Sequence, residues 1–136
     1  MTVPRLKLAA AAVGARLNAI IRKELEIRID QITFWTDSTT VLRYLWNETA
    51  RYQVYVANRL AMIRDESSRS QWRYVKSDEY PADGASRGVK ATSLLNHRWL
   101  HGPDFLQKEE KEWPTLPEGM EALEPEDDEV LQSKAC

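Results

Sequence analysis

Apolar residues recur along the first twenty positions at helical spacing. Leu6, Ala10, Val13, Leu17 and Ile20 lie four and three residues apart, which predicts a helix from Pro4 to about Ile21 with these five on its buried face. Pro4 suits the first turn of such a helix. Ala9 to Ala12 and Gly14 keep one side of it thin, an arrangement that favours close packing on a sheet. Lys7 falls in the first turn, where the helix dipole slightly disfavours a cation, and it reads as a solvated surface charge. After a charged connection, Arg22 to Asp30, comes Ile29 to Thr36, a run of β-branched and aromatic residues that predicts a buried strand.

That strand stops at Asp37, and Ser38, Thr39 and Thr40 then open a short helix with Val41, Leu42, Leu45 and Trp46 on one side. Asn47 to Arg51 breaks the periodicity. A third helix is expected from Gln53 to Asp65, with Tyr52, Val56, Leu60 and Ile63 as its apolar stripe. Gln71 to Lys76 alternates, Trp72 and Tyr74 facing one way and Arg73 and Val75 the other, which predicts a second strand. Pro81 and Gly88 then bracket a short last helix, at its first position and its stop, with Asp83 in the first turn. The order is helix, strand, helix, helix, strand, helix. Two strands joined through helices form a crossover unit, so the fold class is α/β with the strands parallel.

Composition narrows the classes. At 136 residues and 43% hydrophobic content the chain has room for one domain with a core of its own. A net charge of -2 supplies no global basic field for nucleic acid, so any such binding has to come from a local patch. The single cysteine, Cys136, allows neither an internal disulfide framework nor a cysteine-based zinc site. Ala9 to Val13 is too short and too small for a signal core, and no apolar run approaches membrane-spanning length. The expected location is therefore intracellular, cytoplasmic or nuclear. From Pro114 onward, proline and acid dominate, with Glu118, Glu121, Glu124, Glu126, Asp127, Asp128 and Glu129 little relieved by positive charge. Residues 114–136 are expected to form an acidic disordered tail. The remaining boundaries expected are a domain over residues 1–93 and an extension over 94–113, where the turn from Trp99 to Leu106 folds back on apolar anchors.

The candidate chemistry starts at Asp37. Functional groups in open α/β sheets gather where strands end and helices begin, so this carboxylate stands where a ligand or metal is expected. The plainer alternative is that Asp37 or Ser38 only caps the following helix. Asp83 has a similar double reading, because a carboxylate in a helix's first turn is favoured by the dipole alone. Ser38 is no nucleophile, with no histidine placed beside it. His97 and His101 are four apart, but Gly102 and Pro103 argue against a regular helix there, and zinc is not expected. Arg59, Arg64, Arg69, Arg73 and Lys76, with Trp72 and Tyr74 between them, offer a basic and aromatic surface for a nucleic-acid backbone. Against it, Trp72 and Tyr74 suit a core strand, and arginines on exposed helices are ordinarily solvated.

Six blocks of residues carry a resemblance. Pro4-Arg5-Leu6-Lys7-Leu8, Phe34-Trp35-Thr36-Asp37-Ser38, Val56-Ala57-Asn58-Arg59, Gln71-Trp72-Arg73-Tyr74-Val75, Pro81-Ala82-Asp83-Gly84-Ala85-Ser86-Arg87-Gly88 and Trp99-Leu100-His101-Gly102-Pro103 occur in that order. Together they resemble the ribonuclease H-like region of BEL/Pao retrotransposon polyproteins, from residue 4 to about 113. The resemblance implies a partial ribonuclease H-like fold, reverse transcription as the setting, and an RNA/DNA hybrid as substrate. It also implies two Mg²⁺ ions held by clustered carboxylates, which stabilise the attacking water and the leaving oxygen of the RNA strand. Asp37 and Asp83 match two of the family's four metal-binding acids.

Three departures set the functional expectation. The family's first aspartate lies on a strand of a three-strand portion for which this sequence leaves no room. The helical glutamate is replaced by Lys7, which when protonated has no lone pair to offer a metal. Tyr80 stands where the family usually carries asparagine. The chain is thus expected to be a catalytically inactive fragment, a pseudoenzyme that binds no Mg²⁺ tightly and retains weak nucleic-acid binding. The alternatives are a domesticated interaction module, using an exposed edge strand or the acidic tail for a protein partner or self-association, and an active hybrid endonuclease completed by upstream sequence.

Overall fold

In the computed structural model, the described residues are 2–81, Gly88, Lys90, 102–116 and 129–131. The chain runs α1 (Val3–Glu24), β1 (Phe34–Thr36), α2 (Thr39–Trp46), α3 (Val54–Glu66) and β2 (Trp72–Tyr74), followed by short 3₁₀ turns. The expected order is present through the second strand. The last helix and Asp83 lie outside the described residues.

β1 and β2 pair in parallel, Phe34 opposite Trp72, Trp35 opposite Arg73 and Thr36 opposite Tyr74. Pairing is shorter than the expected Ile29 to Thr36. A strand is regular only where a neighbour bonds it, and β2 enters the sheet at Trp72, after a 3₁₀ turn at Arg69–Gln71. Upstream of Phe34, the Gln71 side chain donates to the Ile32 carbonyl at 3.3 Å.

Alternation separates the two sheet faces. Phe34 stacks on Trp72 with ring centroids 4.6 Å apart, and together with Tyr74 they join the helical core. On the other face Trp35 meets Phe105 at 4.9 Å and Trp113 at 5.6 Å, both edge-on. Arg73 lies over the Trp113 ring and pairs with Glu110. Residues 102–113 therefore cover the sheet opposite the helices. Phe105 is buried there, and Gly102 adopts φ +80, a left-handed turn conformation that suits glycine.

The core is built from Leu8, Ala12 and Ala15 of α1, Val41, Leu42, Tyr44 and Leu45 of α2, and Val56, Leu60 and Ile63 of α3. The α2 and α3 stripes are as the sequence predicts, apart from Trp46, which is only half-buried, and Tyr52 is buried with them. The α1 face is not. Leu6, Val13, Leu17 and Ile20 are each more than half exposed, whereas Leu8 and Ala15 are fully buried. The reason is that α1 carries apolar residues nearly all round, so periodicity alone does not select a face. Steric fit selects it, because Ala12 and Ala15 let the α1 backbone approach α3 closely, and the bulky side is left outward.

The acidic tail also differs from expectation at three residues. Glu129–Leu131 returns to the start of α3, with backbone bonds from Gln53 to the Glu129 carbonyl (2.8 Å) and from Leu131 to the Arg51 carbonyl (2.7 Å). Glu129 accepts two hydrogen bonds from the Arg5 guanidinium, at 2.7 and 3.0 Å, which push the arginine pKa further upward. A segment that is acidic on average can still dock where a fixed guanidinium meets it.

The two faces of α1 make a direct comparison. Leu8→Ala is expected to destabilise the chain by about 2–5 kcal/mol, the range for truncating a fully buried leucine. Leu17→Ala is expected to stay within about 0.5 kcal/mol. Urea denaturation of both variants checks this, and equal losses would show that the outer face is packed.

Candidate functional site

Three elements converge on Asp37. β1 delivers it at its carboxyl end, α1 places Lys7 beside it, and Ser77 follows the end of β2. The alternation of the parallel pair makes this convergence unavoidable, since Val75 N donates to the Thr36 carbonyl and so carries the β2 exit past the same edge (3.0 Å).

Capping and site chemistry are divided between neighbours. Ser38 is the cap of α2: its buried hydroxyl accepts from Val41 N at 3.2 Å, and its own N–H donates to Thr36 Oγ1 at 3.1 Å. Asp37 is thereby released from capping. Its Oδ2 accepts from Ser77 Oγ at 2.9 Å, and its Oδ1 lies 3.8 Å from Lys7 Nζ. Both side chains of the ion pair are partly exposed, so it is worth about 1 kcal/mol or less to stability. Its importance is positional, because an ammonium lies against the carboxylate oxygen that a metal would need.

A cavity of about 250 Å³ opens between α1 and β1 at this point. Lys7, Ala10, Gly14, Trp35, Asp37 and Tyr80 are among its lining residues. Tyr80, singled out from the sequence only as a departure in a loop, belongs to the site. Burial raises its phenol pKa above the ordinary 10.0, and the nearby Asp37 charge adds to the rise. No sequence signal marks Tyr80 or Ser77 as neighbours of Asp37, because 40 residues separate Ser77 from it.

The described residues do not fit a divalent metal pair. Mg²⁺ takes oxygen ligands in near-octahedral geometry, and two such ions need several carboxylates. Among the described residues no group of three or more His, Cys, Asp or Glu side chains could hold a metal. Position 7 supplies donors instead of lone pairs. Asp83, His97 and His101 lie outside the described residues.

The basic and aromatic residues are largely committed to internal contacts. Arg64 Nη2 donates to the carbonyls of Tyr44, Leu45 and Asn47, closing the end of α2. Arg59 stacks over Tyr55 at 4.2 Å, and Arg73 is held by Glu110 and Trp113. Trp72 is buried, with its indole N–H on Ser67 Oγ at 2.8 Å. No helix among the described residues is long and apolar enough to cross a membrane.

The family model of the Pao retrotransposon-like RNaseH-like domain matches residues 1–38. That stretch holds α1, Lys7, β1 and Asp37, and stops at the cap of α2. No curated protein and no solved structure matches the chain.

The geometry predicts a late-titrating phenol at Tyr80. Raised in the fold, the Tyr80 phenol stays protonated while an unfolded chain would lose its proton, so stability is full below pH 10.0 and falls as pH climbs toward the folded pKa. Phenolate absorbance should lose a late-titrating component in Tyr80→Phe, and that component should move to lower pH in Asp37→Asn. An unchanged titration in Asp37→Asn would separate the two groups.

Proposed function

We propose that the chain is a retrotransposon-derived ribonuclease H-like fragment that no longer cleaves hybrids and retains weak, backbone-directed nucleic-acid binding. Three lines support the reading. The family match covers the stretch that ends in Asp37 and Ser38. The observed α1–β1–α2–α3–β2 order with a parallel pair is that of a partial ribonuclease H-like fold. The observation that carries the loss of activity is the Lys7–Asp37 ion pair, 3.8 Å long, in which the side chain that replaces the family's glutamate faces the retained aspartate.

In this reading Asp37 and Asp83 are vestigial metal ligands, and Mg²⁺ is not bound tightly. Hydrolysis of a phosphodiester in this class depends on metal ions clamping the attacking and leaving oxygens. An ammonium beside Asp37 repels such an ion by direct Coulomb interaction, which is strongest in a partly dry cleft. Nucleic-acid binding then rests on exposed cations, and it should weaken steeply with salt.

The resemblance from residue 39 to about 113 belongs to the same proposal, as do the retained Asp83 and the origin in a polyprotein. A second reading, a protein-interaction module, is favoured by one observation: α1 leaves a row of large apolar side chains exposed.

The test is cleavage of the RNA strand of an RNA/DNA hybrid with Mg²⁺ or Mn²⁺. No cleavage above background is expected from the full chain. Metal-dependent cleavage that Asp37→Asn abolishes would establish an active enzyme and overturn the proposal. A binding measurement adds a structural arm: Lys7→Glu places a second carboxylate at Asp37 and should raise Mn²⁺ affinity by roughly tenfold or more, read by electron paramagnetic resonance of free Mn²⁺.

A further inference from the structure

Tyr52, in the connection from α2 to α3, forms an antiparallel bridge with Val130. The Gln53 N–H donates to the Glu129 carbonyl and the Leu131 N–H to the Arg51 carbonyl, so the two bonds flank the Tyr52–Val130 pair. In an antiparallel pairing of that kind the two opposed side chains are close neighbours on one face. Val130 accordingly packs against the core beside the buried Tyr52. Alternation turns Glu129 the other way, and its carboxylate takes both donors of the Arg5 guanidinium, at 2.7 and 3.0 Å.

The receiving surface is built entirely from the helical part of the chain. Arg5 comes from α1, residues 51–53 precede α3, and Tyr55 lies in the first turn of α3. The Arg5 guanidinium overlies the Tyr55 ring at 5.0 Å, and Arg59 stacks on the same ring at 4.2 Å, which orients Arg5 before any carboxylate arrives. Backbone pairing, an aliphatic contact and a charge contact thus coincide on three successive residues. That is how an extended peptide adds to a free backbone edge: main-chain bonds supply affinity and alternate side chains supply specificity. A nucleic-acid backbone carries neither an N–H for the Arg51 carbonyl nor an aliphatic side chain to lie beside Tyr52.

We infer that the surface formed by Arg5, the 51–53 edge and Tyr55 is a docking site for an extended peptide in which an acidic residue precedes two aliphatic ones, and that Glu129–Leu131 is its resident occupant. The inference is independent of the loss of cleavage and of nucleic-acid binding. Three residues make a small contact, and tethering keeps them seated, because a linked ligand acts at an effective concentration on the order of millimolar. The same segment offered on a separate molecule therefore binds well only where the tail has been vacated.

A fluorescein-labelled peptide of residues 126–134 tests this on the full chain. Glu129→Ala with Val130→Asp vacates the site, and fluorescence anisotropy should show the peptide binding this variant at least roughly tenfold more tightly than the unaltered chain. Val130→Asp in the peptide should abolish binding. Arg5→Glu in the vacated chain should weaken binding by roughly tenfold or more, and Glu129→Arg in the peptide should restore it. Hydrogen exchange of the unaltered chain is a measurement that needs no variant. The Gln53 and Leu131 amides should exchange faster than those of Leu60 and Ile63, because the tail lifts while α3 stays folded. A dimer of the unaltered chain that Val130→Asp dissociates also supports the inference, since one copy's tail then fills the other's site. The inference is overturned if the vacated chain loses its circular dichroism spectrum, if it fails to bind the peptide, or if both chains bind it equally. It is equally overturned if Val130→Asp in the peptide changes nothing, or if Leu131 exchanges only in step with Leu60.

Discussion

The parallel pairing of Phe34–Thr36 with Trp72–Tyr74 is the constraint from which the rest of the architecture follows. Two strands that run the same way require a connection across the sheet, and α2 and α3 are that connection. Register then fixes chemistry. Phe34 opposite Trp72 places a stacked ring pair under the helices, and Thr36 opposite Tyr74 brings Ser77 to Asp37. Three residues of pairing are few, and the short sheet is reinforced on both faces: by the helical core on one, and by Phe105 and Trp113 against Trp35 on the other.

The site at the end of β1 illustrates how the charge of one side chain sets what a cleft can hold. A carboxylate at the end of a strand, a helix entering beside it and a loop from the next strand form a cleft suited to a cation. With lysine at position 7, the cation is part of the chain. Such a site is electrically closer to neutral, which removes the repulsion that clustered acids would impose on the fold when no metal is present.

α1 carries apolar residues on more than one face, and the buried one holds Leu8 with the small Ala12 and Ala15. Dispersion contacts accumulate with the number of atoms brought to contact distance, so a face of alanines that admits α3 at short range competes well with a face of leucines. Glu129–Leu131 adds a second lesson about average composition. An acidic segment is locally ordered where Arg5 and the free backbone groups of Arg51 and Gln53 give it partners.

The sequence by itself determined the elements and their order through the second strand, and the position of Asp37 at a strand's end, because these depend on local periodicity, on capping residues such as Ser38 and on the β-branched run before it. It also determined the identity of position 7, and with it the sign of the charge available to Asp37. Tertiary structure decided which face of α1 is buried, how much of the first strand is paired, and that Ser77 and Tyr80 belong to the site. Each of these depends on contacts between residues far apart in the chain, where steric fit and register select among faces that periodicity leaves equivalent. The division of labour between Ser38 and Asp37 lies on that boundary. The sequence offers two caps for one helix, and only the cleft built by α1 and β2 gives the aspartate something else to face.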